Sequence, residues 1–214
     1  VVGDGSALMI DAGSSLPEGA RLRTEARRLL GGARVTHLAL THPHFDHVFG
    51  AAAFTGVEVF GAMGVDGVPT GACDALRADA VHHGLPPADA TEAADLLVRP
   101  HHHVSGEWTL DLGGDVRVLL ANVGPGHTGH DLAVLVPGTA HGRPGVVFCG
   151  DLVEESGEPQ AGPDAVPSRW PAALDRLLEL GGEDALYVPG HGAVVDAAFV
   201  RAQRDALAGR FGVS

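Results

Sequence analysis

The sequence predicts an α/β sandwich, and three observations carry that prediction. Short apolar runs of strand length alternate with segments of helical periodicity between residues 7 and 60. A second series of strand-like runs, joined by glycine turns and closed by two helical segments, fills the chain from residue 108 onward. No linker or low-complexity segment separates the two series, and 214 residues suit one core, so a single domain over 1–214 is expected.

Each element has a local reason. Val1 to Ser6 reads as a turn entering a strand already under way, so a first strand is expected to precede it. Ala7 to Ile10 is a short apolar run ended by Asp-Ala-Gly, which suits a buried strand. Leu22, Ala26, Leu29 and Leu30 have helical spacing between Pro17 and the Gly31-Gly32 stop, and predict a helix from Pro17 to Leu30. Val35 to Leu40 is the next strand, Val48 to Phe54 is helix-compatible, and Val57 to Phe60 is a further short strand. Gly61 to Pro100, with periodicity clearest from Ala88 to Val98, reads as helical insertions and loops that cover a site. Trp108 to Leu112, Gly113-Gly114 and Val116 to Ala121 form a strand, a tight turn and a strand. Leu132 to Val136, Val146 to Cys149 and Ala185 to Val188 are strands, and Arg169 to Leu180 and Asp196 to Leu207 are helices, the last capped by Asp196.

Composition narrows the function. The formal charge is −13, and the 14 basic residues are all arginines scattered along the chain, so no basic stripe exists to neutralise phosphates. No apolar run approaches the roughly 18 residues needed to span a bilayer. A nucleic-acid substrate and a membrane span are therefore not expected. Two cysteines make no disulfide framework, and with no leader pattern in view a reduced, cytoplasmic protein is expected. Thirteen histidines are the compositional anomaly.

Their placement points to metal. Thr41-His42-Pro43-His44-Phe45-Asp46-His47 follows the Val35 to Leu40 strand directly. In extended chain, residues two apart project to one side, so His42 and His44 can offer imidazoles to one ion. Asp46 and His47 fall where a helix begins and can serve a neighbouring ion. Three further candidates stand at the ends of later strands beside glycines that permit tight turns: His127 in Gly126-His127-Thr128, Asp151 in Gly150-Asp151, and His191 in Pro189-Gly190-His191-Gly192.

These four motifs, in this order, resemble those of the metallo-β-lactamase-fold hydrolases over essentially the whole chain, and Leu8-Met9-Ile10-Asp11-Ala12-Gly13 looks like that family's early strand and loop. The resemblance implies a four-layer αββα sandwich with a dinuclear site. By family position His42, His44 and His127 would bind one metal, Asp46, His47 and His191 the other, and Asp151 would bridge. Two zinc ions are the expected cofactors, with iron and manganese suited to the same donors. Two cations bridged by a hydroxide would supply a nucleophile near neutral pH, and Asp46 would orient it and shuttle its proton to the leaving group. Thr128, His130, Asp131 and Asp11 are candidates to fix imidazole tautomers.

Departures from subfamily patterns select among hydrolases. Asp151 stands where true β-lactamases resembling this ligand set carry Ser or Cys, which argues against antibiotic hydrolysis. Only Gly192 to Ser214 follows the last ligand, too little for the long basic region of glyoxalase II enzymes. The RNA-processing relatives rely on insertions and basic surfaces that this chain lacks, and the flavodiiron members have Glu at the position of His44. A small ester, thioester or lactone is the expected substrate, with phosphodiesters behind. The alternative is an oxidoreductase resembling the mononuclear-iron persulfide dioxygenases; a non-catalytic binding protein ranks last because no ligand position is degraded. The partner is a small molecule, and a homodimer is a further expectation.

The remaining histidines and aromatics read as structure. His101-His102-His103 and His82-His83 are expected in solvated loops, Trp108 and Trp170 as packing residues, Cys149 inside its strand, and Tyr187 near enough to His191 to enter the site.

Overall fold

Strand β1 (Leu8–Ile10) runs into helix α1 (Leu16–Leu29), which returns the chain to β2 (His37–Ala39) parallel to β1, with Met9 opposite Leu38. Helix α1 begins where Ser15 accepts the Glu18 N–H and Glu18 in turn accepts from the Ser14 N–H and hydroxyl, a reciprocal cap on the first turn. Strand β3 (Glu58–Ala62) adds in parallel to β2, with Val59 opposite Leu38. A parallel pairing demands a crossover, and the apolar content of Leu38, Ala39, Val59 and Phe60 reflects strands covered on both faces. This computed structural model describes residues 1–64, 72–139 and 142–213.

The link from β2 to β3 does not form one helix over the helix-compatible run Val48 to Phe54. It holds a short helix α2 (Phe45–Val48) and a 3-10 turn over Ala51–Ala53. The break has a cause in the backbone. The Ala12 N–H donates to the His47 carbonyl and the Gly50 N–H to the Gly13 carbonyl, so this segment pairs with the β1–α1 loop instead of continuing its own helix. A Cβ on Gly50 would lie 2.0 Å from the Ala12 oxygen, so the approach requires glycine.

Two helices follow, α3 (Ala72–His82) and α4 (Pro87–Asp95), within the stretch expected to hold helical insertions; positions 65–71 of it lie outside the described residues. Strand β4 (His102–Val104) completes a four-stranded sheet in the order β1-β2-β3-β4. The triple histidine is thus an edge strand and its approach, not a solvated loop. The His102 ring stacks on Phe60 at 4.6 Å, its Nε2 lies 2.9 Å from Glu58 Oε2, and the Val59 N–H donates to His101 Nδ1. Apolar stacking and a charged partner on β3 outweigh the solvation that a polar run would otherwise seek.

The second sheet has the order β5-β6-β7-β8-β9: β5 (Glu107–Asp111), β6 (Arg117–Asn122), β7 (Leu132–Val136), β8 (Val146–Glu154) and β9 (Leu186–His191). The first four strands are antiparallel, and β9 joins β8 in parallel after helix α5 (Trp170–Gly181). Helix α6 (Ala197–Phe211) closes the chain, capped by Asp196 accepting from the Phe199 N–H.

The chain divides into two compact units, one of 1–103 with 112–116 and the other of 104–111 with 117–214. The first has a core around Leu38, Phe49, Phe54 and Val59; the second has one around Trp170, Leu174, Leu177, Tyr187 and Val200. Two aromatic residues sit differently from their expected places. Tyr187 is fully buried and its hydroxyl donates to the Gly182 carbonyl, so it is a core residue, with burial holding its pKa up at about 12. Trp108 lies on the outer strand β5 and is 41% exposed. Among the described residues no helix is long and apolar enough to cross a membrane.

Candidate metal centre

The first unit supplies His42, His44, Asp46 and His47 from the loop after β2 and from α2. His42 and His47 are buried, His44 and Asp46 half-buried. The rings crowd one another, with centroids of His42 4.7 Å from His44 and 4.1 Å from His47. Packed imidazolium cations would repel at this range, so the arrangement suits neutral imidazoles, the form that ligates metal.

Asp11 organises two of them. Its backbone is left-handed, φ 56°, at the end of β1, a conformation Asp tolerates better than most residues. The carboxylate accepts the Thr41 N–H at Oδ1 (2.8 Å), and Oδ2 accepts the Thr41 hydroxyl (2.8 Å) and His47 Nδ1 (2.8 Å). Thr41 Oγ1, having given its proton to Asp11, accepts from His42 Nδ1 at 3.0 Å. One carboxylate thereby fixes both rings with the proton on Nδ1, leaving the Nε2 lone pairs as the ligating ones. His47 Nε2 lies 3.6 Å from Asp46 Oδ2, beyond a good hydrogen bond but compatible with donors that share a cation.

The second unit supplies His127, Asp151 and His191. His127 Nδ1 lies 3.2 Å from the Gln160 carbonyl, an oxygen that only accepts, so this ring too carries its proton on Nδ1 and its lone pair on Nε2. The His127 and Trp170 rings meet edge to face with centroids 5.3 Å apart, which gives that tryptophan a role in setting the imidazole as well as filling the core. Asp151 Oδ2 stands 3.6 Å from His127 Nε2 and 3.4 Å from His191 Nε2. Zinc–nitrogen bonds of about 2.0–2.1 Å at tetrahedral angles separate two ligand atoms by about 3.3–3.4 Å. The donors of this unit therefore have the chemistry and the spacing of a metal ligand set.

The surrounding turn residues have separate tasks. Asp131 is buried and accepts the Thr128 N–H and hydroxyl, while the His130 N–H donates to Thr128 Oγ1. These bonds shape the 126–131 turn that presents His127. Asp11 does bond a ligand ring, and the Gln160 carbonyl was not visible to sequence reasoning, because a backbone oxygen 33 residues away has no local signature. Cys149 is buried within β8, and burial raises its thiol pKa well above the ordinary value, so it is inert packing.

A mixed α/β chain with two sheets, carrying at its strand ends histidine and aspartate side chains of the kind that could hold a metal ion, has the metallo-β-lactamase fold. The family model described as the metallo-β-lactamase superfamily matches residues 1–191, and the chain belongs to that superfamily. A curated relative, metallo-β-lactamase domain-containing protein 1 of Xenopus laevis, is 26% identical over 187 residues, covering 86% of this chain; the match spans only 66% of that relative's length. Among solved structures, a metallo-β-lactamase from Pontibacter korlensis is similar with a TM-score of 0.70 at 22% identity, covering 97% of this chain and 84% of the other. The metallo-β-lactamase FIM-1 from Pseudomonas aeruginosa in its mono-zinc form is similar with a TM-score of 0.69 at 20% identity, over 100% of this chain and 83% of the other. At these identities the solved structures speak for the fold.

Proposed function

We propose that this protein is a metal-dependent hydrolase of small esters, thioesters or lactones, with His42, His44 and His127 holding one cation, Asp46, His47 and His191 a second, and Asp151 serving both. The observation that carries the reading is the tautomer arrangement: Asp11, Thr41 and the Gln160 carbonyl occupy the Nδ1 sides of His47, His42 and His127, so three imidazoles present Nε2 lone pairs. Zinc or a similar divalent cation, when bound, supplies a Lewis acid that lowers the pKa of water and polarises a carbonyl.

The chain's own residues account for the rest. Asp11 keeps the proton on His47 Nδ1 and fixes the ring against rotation. Asp46, half-buried beside His47, orients the attacking water with a carboxylate oxygen and carries its proton to the leaving group. The charge of −13 disfavours polyanionic substrates, so a neutral or weakly charged small molecule fits better than a nucleic acid.

Metal content per chain, measured by mass spectrometry after growth with zinc, iron and manganese, tests this first. Two zinc or manganese ions together with ester, thioester or lactone turnover that Asp46→Asn abolishes are expected. A single iron with oxygen consumption would replace the reading by an oxidoreductase, and a folded protein that takes up no metal would end it.

A further inference from the structure

Strand β8 does not keep a regular register with β9. Gly150 pairs with Pro189 and Glu154 with His191, so β8 spends four steps where β9 spends two. The extra residues form a bulge, entered through Gly150 at φ +54°, and Asp151 sits at its start. Bulging withdraws backbone groups from the ladder, and Pro189 has no N–H to give. Buried polar groups left in this way need partners from elsewhere.

Helix α6 supplies them through one side chain. Ala197, Val200, Gln203 and Leu207 form the buried stripe of this helix, and Gln203 is its polar member. Its Nε2 donates to the Leu152 carbonyl at 2.7 Å and its Oε1 accepts the Glu154 N–H at 3.0 Å. The Leu152 carbonyl also accepts from Trp170 Nε1 at 3.0 Å, and the same Trp170 packs on His127. The amide thus acts as a substitute strand partner across the bulge. An apolar residue of similar size would fill the volume but satisfy neither group.

We infer that Gln203, on helix α6 and outside every ligand motif, is a positioning residue for Asp151: by bonding Leu152 and Glu154 it holds the bulge in the one backbone shape that aims the Asp151 carboxylate between His127 and His191. This rests on the metal-binding reading above. Trp170 assists from the other side, tying the Leu152 carbonyl and the His127 ring to one indole.

The test uses the full chain and zinc or cobalt(II) alone. In Gln203→Met both bonds are lost while size is kept, and in Gln203→Glu the acceptor to the Glu154 N–H stays while the donor to Leu152 is lost. Zinc affinity is measured against a chromophoric chelator, and cobalt(II) absorption reports ligand geometry, on protein shown by circular dichroism to be folded. The expected result is zinc binding weaker by about 10- to 100-fold with an altered cobalt spectrum in both variants. Wild-type affinity and spectrum in a folded variant would overturn the inference, since a purely structural glutamine would change melting temperature alone. Should Gln203→Met fail to fold, Gln203→Glu decides. Asp151→Asn separates the two levels: if it loses metal while both Gln203 variants keep it, only the positioning role fails, whereas unchanged metal uptake in Asp151→Asn removes the site reading as well.

Discussion

Asp11 Oδ2 lies 2.8 Å from His47 Nδ1 and 2.8 Å from the Thr41 hydroxyl, so a residue on the β1 loop controls rings that enter after β2. The parallel pairing of β1 and β2 brings these loops to the same end of the sheet. Replacing Asp11 by Asn preserves the left-handed backbone that Asn also tolerates, but sets an amide that can donate against the His47 Nδ1–H. Asp11→Asn is expected to weaken zinc binding by about 10- to 100-fold with little change in circular dichroism, as read by chelator competition.

Gly190 is required for space. A Cβ there would lie 1.8 Å from Asp151 Oδ1, so Gly190→Ala must displace that carboxylate or β9 itself. The expected outcome is loss of metal stoichiometry in a protein that still folds, measured by elemental analysis. Retention of the full metal complement would show that the carboxylate can move without consequence.

Gly209 on α6 offers the opposite case. An added Cβ meets nothing within 4 Å, and the residue is exposed and helical. Gly209→Ala should raise unfolding stability by about 0.5–1 kcal/mol in urea denaturation, through reduced freedom of the unfolded chain.

Glu18 carries a pH dependence. Bonds from the Ser14 hydroxyl and N–H hold its pKa below the ordinary glutamate value, with Arg21 adding a smaller pull. A carboxylate with a depressed folded pKa contributes stability that is present above its unfolded pKa and is lost as pH falls through the folded one. The stability gap between wild type and Glu18→Gln should therefore be widest near neutrality and close under acid conditions, in denaturation series at several pH values. A gap independent of pH would assign the effect to packing.

Metal removal should lower stability by linkage. Zinc at a free concentration of 100 times its dissociation constant adds about 2.7 kcal/mol if only the folded state binds it. Chelated protein is expected to melt at a lower temperature and to recover on zinc addition. Identical melting with and without zinc would contradict binding to the folded state.

The order of elements was legible because strands and helices here announce themselves by local periodicity and glycine stops. Helix α1 and strands β6 and β7 lie within a residue or two of their sequence-derived limits. The helix-compatible run Val48 to Phe54 holds only a 3-10 turn over Ala51–Ala53, since the backbone partners that break a longer helix sit on the Ala12–Gly13 loop. The triple histidine leaves its expected solvated loop for the same reason: its polarity is local, but its stacking partner Phe60 and charge partner Glu58 come from β3.

By itself the sequence determined the family and the donor types, because metal chemistry demands particular side chains at strand ends and those are written in the residues themselves. Tertiary structure decided the orientation of those donors. Which nitrogen of His42, His47 or His127 carries the proton depends on Asp11, Thr41 and the Gln160 carbonyl, and the bulge that presents Asp151 depends on Gln203. Hydrogen bonds between residues 30 to 50 positions apart follow from how strands and helices pack, and no local pattern encodes them.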